Sequence, residues 1–163
     1  MDIQISLDLK GKLVQNPHEF MAGLLRQLKT DMGLAGKYVQ GEVKSITPVG
    51  ATGHLRDGIK STVFQQGDNI TALVAPDKEY AFNVEHGTAR HWAPFKPLLY
   101  YVTRKYHLSG EQAIAAAKGL QKGIAIHGTR KQQMFGKTAA RPEVIAKIKH
   151  LIELGIASYI ARS

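Results

Sequence analysis

Apolar side chains recur at helical spacing over two long stretches, one toward each end of the chain. Phe20, Leu24, Leu28, Met32, Val39, Val43 and Ile46 mark the first, with Ala35 filling the gap between them. Asn16 suits an N-cap, Pro17 the first helical position and Glu19 the third, and Pro48 stops the pattern, so a helix is predicted from about residue 16 to about residue 46. Gly23, Gly33, Gly36 and Gly41 interrupt it, each at a cost of roughly 1 kcal/mol relative to alanine. Glycines tolerated at that cost predict a break or a close backbone contact. At the other end Pro142 and Glu143 open a second stripe of Ile145, Ile148, Ile152, Ile156 and Tyr159, predicting an amphipathic helix to about residue 161.

Between them the period changes. Residues 59–66 (IKSTVFQQ) and 70–76 (ITALVAP) flank Gly67-Asp68-Asn69 and predict a β-hairpin. Residues 3–9 (IQISLDL) alternate as an edge strand would, and residues 80–88 (YAFNVEHGT) fit either a strand or a short helix. From Pro97 the stripe Leu98, Leu99, Tyr101, Val102 and Tyr106 predicts a helix. Ser109-Gly110-Glu111-Gln112 reads as a capping box for a second helix, to about Lys122 with Gly123 as its stop. Residues 127–141 read as loop, with a short helix near Phe135. The expected fold is α+β: a single domain over residues 1–163, its long N- and C-terminal helices packed on a small antiparallel sheet, with an inserted helical pair at 97–123. Leu24, Leu28, Leu55, Val63, Leu73, Val74, Ile148 and Ile152 are the expected core.

Composition narrows the class. At 163 residues, 44% hydrophobic and 21% charged, the chain can bury a core and is not of disordered type. No cysteine is present, which excludes disulfides, thiolate nucleophiles and Cys-ligated zinc. No apolar run approaches the ~18 residues of a membrane helix, and MDIQISLDLKGK does not have the pattern of a secretory signal. The net charge is +9, and its distribution matters more than its size. Residues 1–81 hold nine basic and nine acidic side chains, whereas residues 82–163 hold thirteen basic and four acidic. One-sided charge of this kind predicts an acidic partner, nucleic acid foremost.

Candidate chemistry is sparse. His86 and His91 lie five apart beside Glu85, with His127 far along the chain, and no standard metal-ligand spacing occurs. There is no G-x-S-x-G, no phosphate-binding glycine loop, and no evident carboxylate pair for acid–base work. The expectation is a protein that is not an enzyme and needs no metal or cofactor. The helical pair resembles a helix-turn-helix joined by His107-Leu108-Ser109, but Glu111, Gln112 and Ala115 at its reading positions suit bases poorly. Two tripeptides repeat, His86-Gly87-Thr88 and His127-Gly128-Thr129, each followed within two residues by arginine.

These segments occur in a telling order. Pro48, Thr52, Gly53, Leu55, Arg56 and Ile59 come first, then Tyr80, Ala81, Val84, Glu85, Gly87 and Thr88, and then Gly128, Thr129, Met134 and Phe135 before the last helix. Over roughly residues 15–160 this resembles the neck and tail-completion proteins of long-tailed bacteriophages, the minor tail protein Z-like and head–tail joining class. Ala51 stands where that family usually has an acid, and Gln133 where it usually has a proline.

The resemblance implies a structural virion protein at the phage neck or tail top, completing the tail or joining it to the head in a ring around the DNA channel. Its implied partners are the tail terminator, tail tube and head–tail connector and further copies of itself, with six copies as the number to test. Its implied location is the virion, after assembly in the host cytoplasm, without membrane contact. The expected assembly interface comprises Thr52, Gly53, Arg56, Glu85, His86, Gly87, Thr88, Arg90, His91, Trp92, Phe95, Gly128, Thr129 and Phe135, with Arg56 paired to Glu85 across the sheet. Arg90, Lys96, Arg104, Lys105, Lys118, Lys122, Arg130, Lys131 and Lys137 are expected to face a DNA-bearing lumen or an acidic partner. Two other classes compete: a DNA-binding regulator using the pair at 97–122, and a small hydrolase built on Glu85, His86 and His91.

Overall fold

A computed structural model describes residues 16–162. The strand expected at 3–9 lies outside the described residues. In chain order the elements are α1 (Pro17–Ile46), α2 (His54–Asp57), β1 (Ile59–Gln66), β2 (Asn69–Pro76), α3 (Ala81–His86), α4 (Phe95–Tyr106), α5 (Gly110–His127), α6 (Met134–Ala139) and α7 (Pro142–Arg162). The structure is 66% helical with one two-stranded antiparallel sheet, an α+β fold. Its contacts divide it into two compact units. One contains residues 16–42, 61–75 and 138–162, and the other contains residues 43–60 and 76–137.

The first unit is built on α1 and α7. The Asn16 side chain accepts a bond from the Glu19 amide at 3.3 Å and donates one to the Glu19 carboxylate at 3.3 Å, so the expected cap is in place. Leu24, Ala35, Val144, Ile148, Ile152 and Ile156 form the buried seam, with Phe20, Leu28, Met32 and Tyr159 against it. Four of these, from Val144 to Ile156, recur every fourth residue, which puts one straight apolar ridge on α7. The helices run antiparallel, with Tyr159 against Gly23, Asp31 against Gly155, and Arg141 bonded to Glu42.

Two glycines allow this approach by exchanging neighbours. Tyr159 lies over Gly23 where a Cβ would collide with its ring, and its hydroxyl donates to the Phe20 carbonyl at 3.0 Å. Gly155 in turn receives the Asp31 carboxylate. Gly36 is a third contact, against Ser61 and Ala72 on the inner face of the hairpin, while Gly41 faces open space. The glycines at 23 and 36 therefore mark close approach, and α1 runs unbroken through all four.

Asp31 is 3% exposed, and one carboxylate oxygen accepts from the Gln27 side chain at 2.9 Å while the other, Oδ2, has no hydrogen-bond partner. Burial pushes its carboxyl above the usual carboxylate range, against the opposing hydrogen bond from Gln27.

The hairpin turn is shorter than expected, with Gly67 and Asp68 alone between the strands and Gly67 at φ 59°, the glycine-first pattern of a type II′ turn. Ile59, Ser61, Val63, Ile70, Ala72 and Val74 face inward. Leu73, expected in the core, is 49% exposed and, like Phe64, on the outer face. Adjacent strand residues point to opposite faces, so Val74 and Leu73 cannot both be inside. Leu28, Val63 and Val74 are only half-buried, whereas Leu24, Leu55, Ile148 and Ile152 are buried as expected.

In the second unit, Thr47 ends α1 by donating to the Val43 carbonyl at 2.7 Å, and Gly53 at φ 75° turns the chain into α2 with Leu55 and Ile59 buried. Within residues 80–88, the helical alternative holds, as α3. Helix α4 starts at Phe95, two residues before Pro97, which occupies the first turn where it costs no hydrogen bond. Helix α5 begins as expected after Ser109, but the Ser109 side chain makes no capping bond. It passes through Gly123 and ends at Gly128, φ 73°, where the backbone adopts a conformation that favours glycine. Val102, Ala113 and Ala117 form the buried centre between α4 and α5, with Phe95, Leu98 and Leu99 around it.

Two outcomes test the helix seam. Gly155→Ala drives a methyl into Asp31 and is expected to cost about 1–3 kcal/mol in chemical denaturation, whereas Gly41→Ala, in open space, is expected to stabilise by up to about 1 kcal/mol. The second concerns pH. A carboxyl whose pKa is raised on folding contributes stability below its unfolded value of about 3.9 and loses it as pH rises through the folded value. Asp31→Asn is therefore expected to raise stability at pH 7 by on the order of 1 kcal/mol, with the gain vanishing below about pH 4, as read from urea midpoints across pH.

Candidate assembly interface

The two repeated tripeptides meet. Helix α3 ends in His86 and α5 ends in His127, and each is followed by a glycine with positive φ, Gly87 at 76° and Gly128 at 73°. Thr88 and Thr129 then pair as an antiparallel bridge. Each threonine amide donates to the other's carbonyl at 3.2 Å, and their hydroxyls are 2.9 Å apart. A Cβ at Gly87 would press on Thr129 and Lys131 backbone, and one at Gly128 on Thr88 and Ala89 backbone. Glycine is thus required twice over at both positions, by φ and by space. The repeat is a clasp between residues 41 apart in sequence.

Further bonds extend the clasp. The Gln132 amide donates to the Val84 carbonyl at 3.0 Å, and the Gln133 amide to the Glu85 carbonyl at 3.1 Å. The Glu85 carboxylate accepts from the Phe135 amide at 3.1 Å and the Gly136 amide at 2.9 Å, so it holds the start of α6. The expected Arg56–Glu85 pair does not form. Glu85 is committed to these amides, and Arg56 lies 3.9 Å from the adjacent Asp57. Thr52 and Gly53 are confined to the turn before α2, where the Thr52 hydroxyl is 3.5 Å from the His54 amide. Of the expected interface, the structure brings Glu85, Gly87, Thr88, Gly128, Thr129 and Phe135 together, and leaves Thr52 and Gly53 in the turn before α2 and Arg56 within α2.

The histidines are engaged locally. His86 stacks on Phe82 with ring centroids 4.3 Å apart, its Nδ1 3.1 Å from the Phe82 carbonyl. His91 Nδ1 lies 3.0 Å from the Ala89 carbonyl and 3.4 Å from the Thr88 hydroxyl. Among the described residues no three His, Cys, Asp or Glu side chains gather as metal ligands would.

Beside the clasp the surface is aromatic. Trp92 is 70% exposed, and Phe82, which no motif in the sequence singles out, is 68% exposed. Phe82 becomes legible only when residues 81–86 are known to be helical, with Ala81 taking the inward position. Phe95, expected as an anchor, is half-buried against the α4–α5 centre, and Phe135 is half-buried. The nine cations from Arg90 to Lys137 expected to face DNA or an acidic partner are all exposed, and all lie in the second unit.

Residues 12–87 match a family model described as "Bacteriophage HK97-gp10, putative tail-component". The match contains the Thr52–Ile59 segment and the 80–88 segment up to Gly87, and it bears out the resemblance to phage tail-completion proteins. It stops one residue before Thr88, so the Thr88–Thr129 bridge, the helical pair and the third motif lie beyond it. The family is one of phage tail components, which supports a structural role in the tail. No curated protein and no solved structure matches the chain. No helix among the described residues is long and apolar enough to cross a membrane.

Glu85→Gln is expected to weaken both bonds to α6. Hydrogen exchange at the Phe135 and Gly136 amides should speed up by about tenfold or more, the equivalent of about 1.4 kcal/mol, while exchange in the α1–α7 seam stays unchanged.

Proposed function

We propose that the protein is a structural component of the phage neck or tail top, completing the tail or joining it to the head within a ring of copies around the DNA channel. The observation that carries this reading is the tail-component match over residues 12–87. The site agrees with it in kind. Its polar groups are spent on holding backbone, as Glu85 is on two amides, and a structural role calls for no reacting group. A ring of identical copies needs one patch on each subunit to meet a different patch on the next. The exposed Trp92 and Phe82, with the clasp loops near them in sequence, are the candidates for one of those patches. The partners would be the terminator, tube and connector proteins above and below the ring.

Deleting the gene in its phage should give particles whose heads and tails fail to join, and the protein should be found in purified wild-type virions. Normal virions from the deletion would reject the reading. Within the intact gene, Trp92→Ala should leave monomer stability within about 0.5 kcal/mol, as for an exposed side chain, yet lower the yield of infectious particles at least about tenfold.

A further inference from the structure

Most of the +9 charge lies in the second structural unit. The second unit holds thirteen basic and five acidic residues, and the described residues of the first hold seven and six. Within the second unit the excess is narrower still. Residues 88–137 carry nine basic side chains and one acid, Glu111, whereas the family-matched residues 12–87 carry eight of each. The charge therefore belongs to the part of the chain that begins at the clasp and lies outside the family match.

Those nine cations are exposed, and among the described residues none of them pairs with a carboxylate. Three of the unit's five acids are occupied elsewhere. Asp77 is held by Lys60 at 3.2 Å and Lys78 at 3.4 Å, which keep its carboxyl below the usual range, Asp57 lies against Arg56, and Glu85 caps α6. Elsewhere in the chain basic groups such as Lys60, Lys78 and Arg141 have carboxylate neighbours. Lys118 and Lys122 stand one turn apart on α5, and Arg104 and Lys105 end α4, with the Arg104 guanidinium 5.9 Å from the Tyr100 ring. The neutralising anions must come from outside this segment.

We propose that residues 88–137, the α4–α5 hairpin with its flanking loops, form a sequence-blind surface for the phosphate backbone of duplex DNA. An ordinary protein surface interleaves both signs of charge and is matched by a mixed surface. A field of one sign over fifty residues matches a uniform polyanion instead. The start of α5, Glu111, Gln112 and Ala115, has little to read base edges with, so the contact is to phosphate. The choice of DNA among polyanions rests on the tail reading, but the surface itself rests on the charge and its lack of partners.

Fluorescence anisotropy of the full chain with two labelled duplexes of unrelated sequence, each about 20 bp, tests this over a salt series. Both should bind within about twofold of each other, with log K falling linearly in log salt by about 0.9 per phosphate neutralised. The variant R104Q/K105Q/K118Q/K122Q, all at exposed positions, should keep its circular dichroism, lose about three to four units of that slope, and bind at least about tenfold more weakly at about 50 mM salt. The control K147Q/K149Q on α7 should retain the wild-type slope to within about half a unit, against the loss of about 1.8 expected if both lysines contacted phosphate. No binding at low salt, unchanged binding in the four-site variant, or tenfold preference for one duplex would overturn the proposal. So would a glutamate polymer of equal charge that binds more tightly than DNA, which would assign the surface to an acidic protein. None of these outcomes bears on the deletion phenotype, so the tail role stands or falls separately.

Discussion

The pairing of Thr88 with Thr129 is the constraint on which the second unit depends. The chain leaves the clasp at Thr88, passes through α4 and α5, and returns to it at Thr129. Closing a loop of about forty residues costs several times RT in chain entropy. Two main-chain bonds, a hydroxyl pair and the Glu85 cap hold it closed in a single register. Both glycines are fixed by this geometry, since each must turn with positive φ while another stretch of backbone passes over it. The repeated His-Gly-Thr is therefore two halves of one joint, with no need for an ancestral duplication to explain it.

That joint coincides with a boundary in the family match. The tail-component match ends at residue 87, and the charge begins at Arg90. The matched portion is neutral and supplies α1, the turn at Gly53, the hairpin and α3. Beyond it lies a charged helical pair held at its base by the clasp.

Much of this is legible where local chemistry decides. Asn16, Pro17 and Glu19 announce α1, and the isoleucine ridge announces α7, because caps and period are local signals. Sequence and structure part where the deciding partner is distant. Hydrophobicity alone puts Leu73 inside, but strand alternation admits Val74 instead. Gly123 has the look of a stop, yet a helix packed along its neighbour carries one glycine at roughly 1 kcal/mol, and the stop falls at Gly128, where positive φ is required. Arg56 and Glu85 match by charge alone. Two amides at the start of α6, fifty residues away, satisfy Glu85 better than an exposed guanidinium could. The twin tripeptide is visible in the sequence, but nothing in a sequence says that its halves touch.

The helical pair also explains why a clasp is needed. Its buried centre is one valine and two alanines, and the half-buried residues around it supply most of the apolar contact. The small residues at that centre let α4 and α5 approach closely. The five cations on these helices, Lys96, Arg104, Lys105, Lys118 and Lys122, against the single acid Glu111, work in the opposite direction. Their mutual repulsion extends over a Debye length of about 8 Å at physiological salt, comparable to the spacing of neighbouring helix turns. Repulsion of this kind favours fraying of the hairpin at free ends. Tying the two ends together at Thr88 and Thr129 removes the freedom that fraying would release, so that the charge is displayed on a fixed frame. The proposed polyanion contact would bear on the same balance, since an anion that screened the cations would relieve the repulsion the clasp resists.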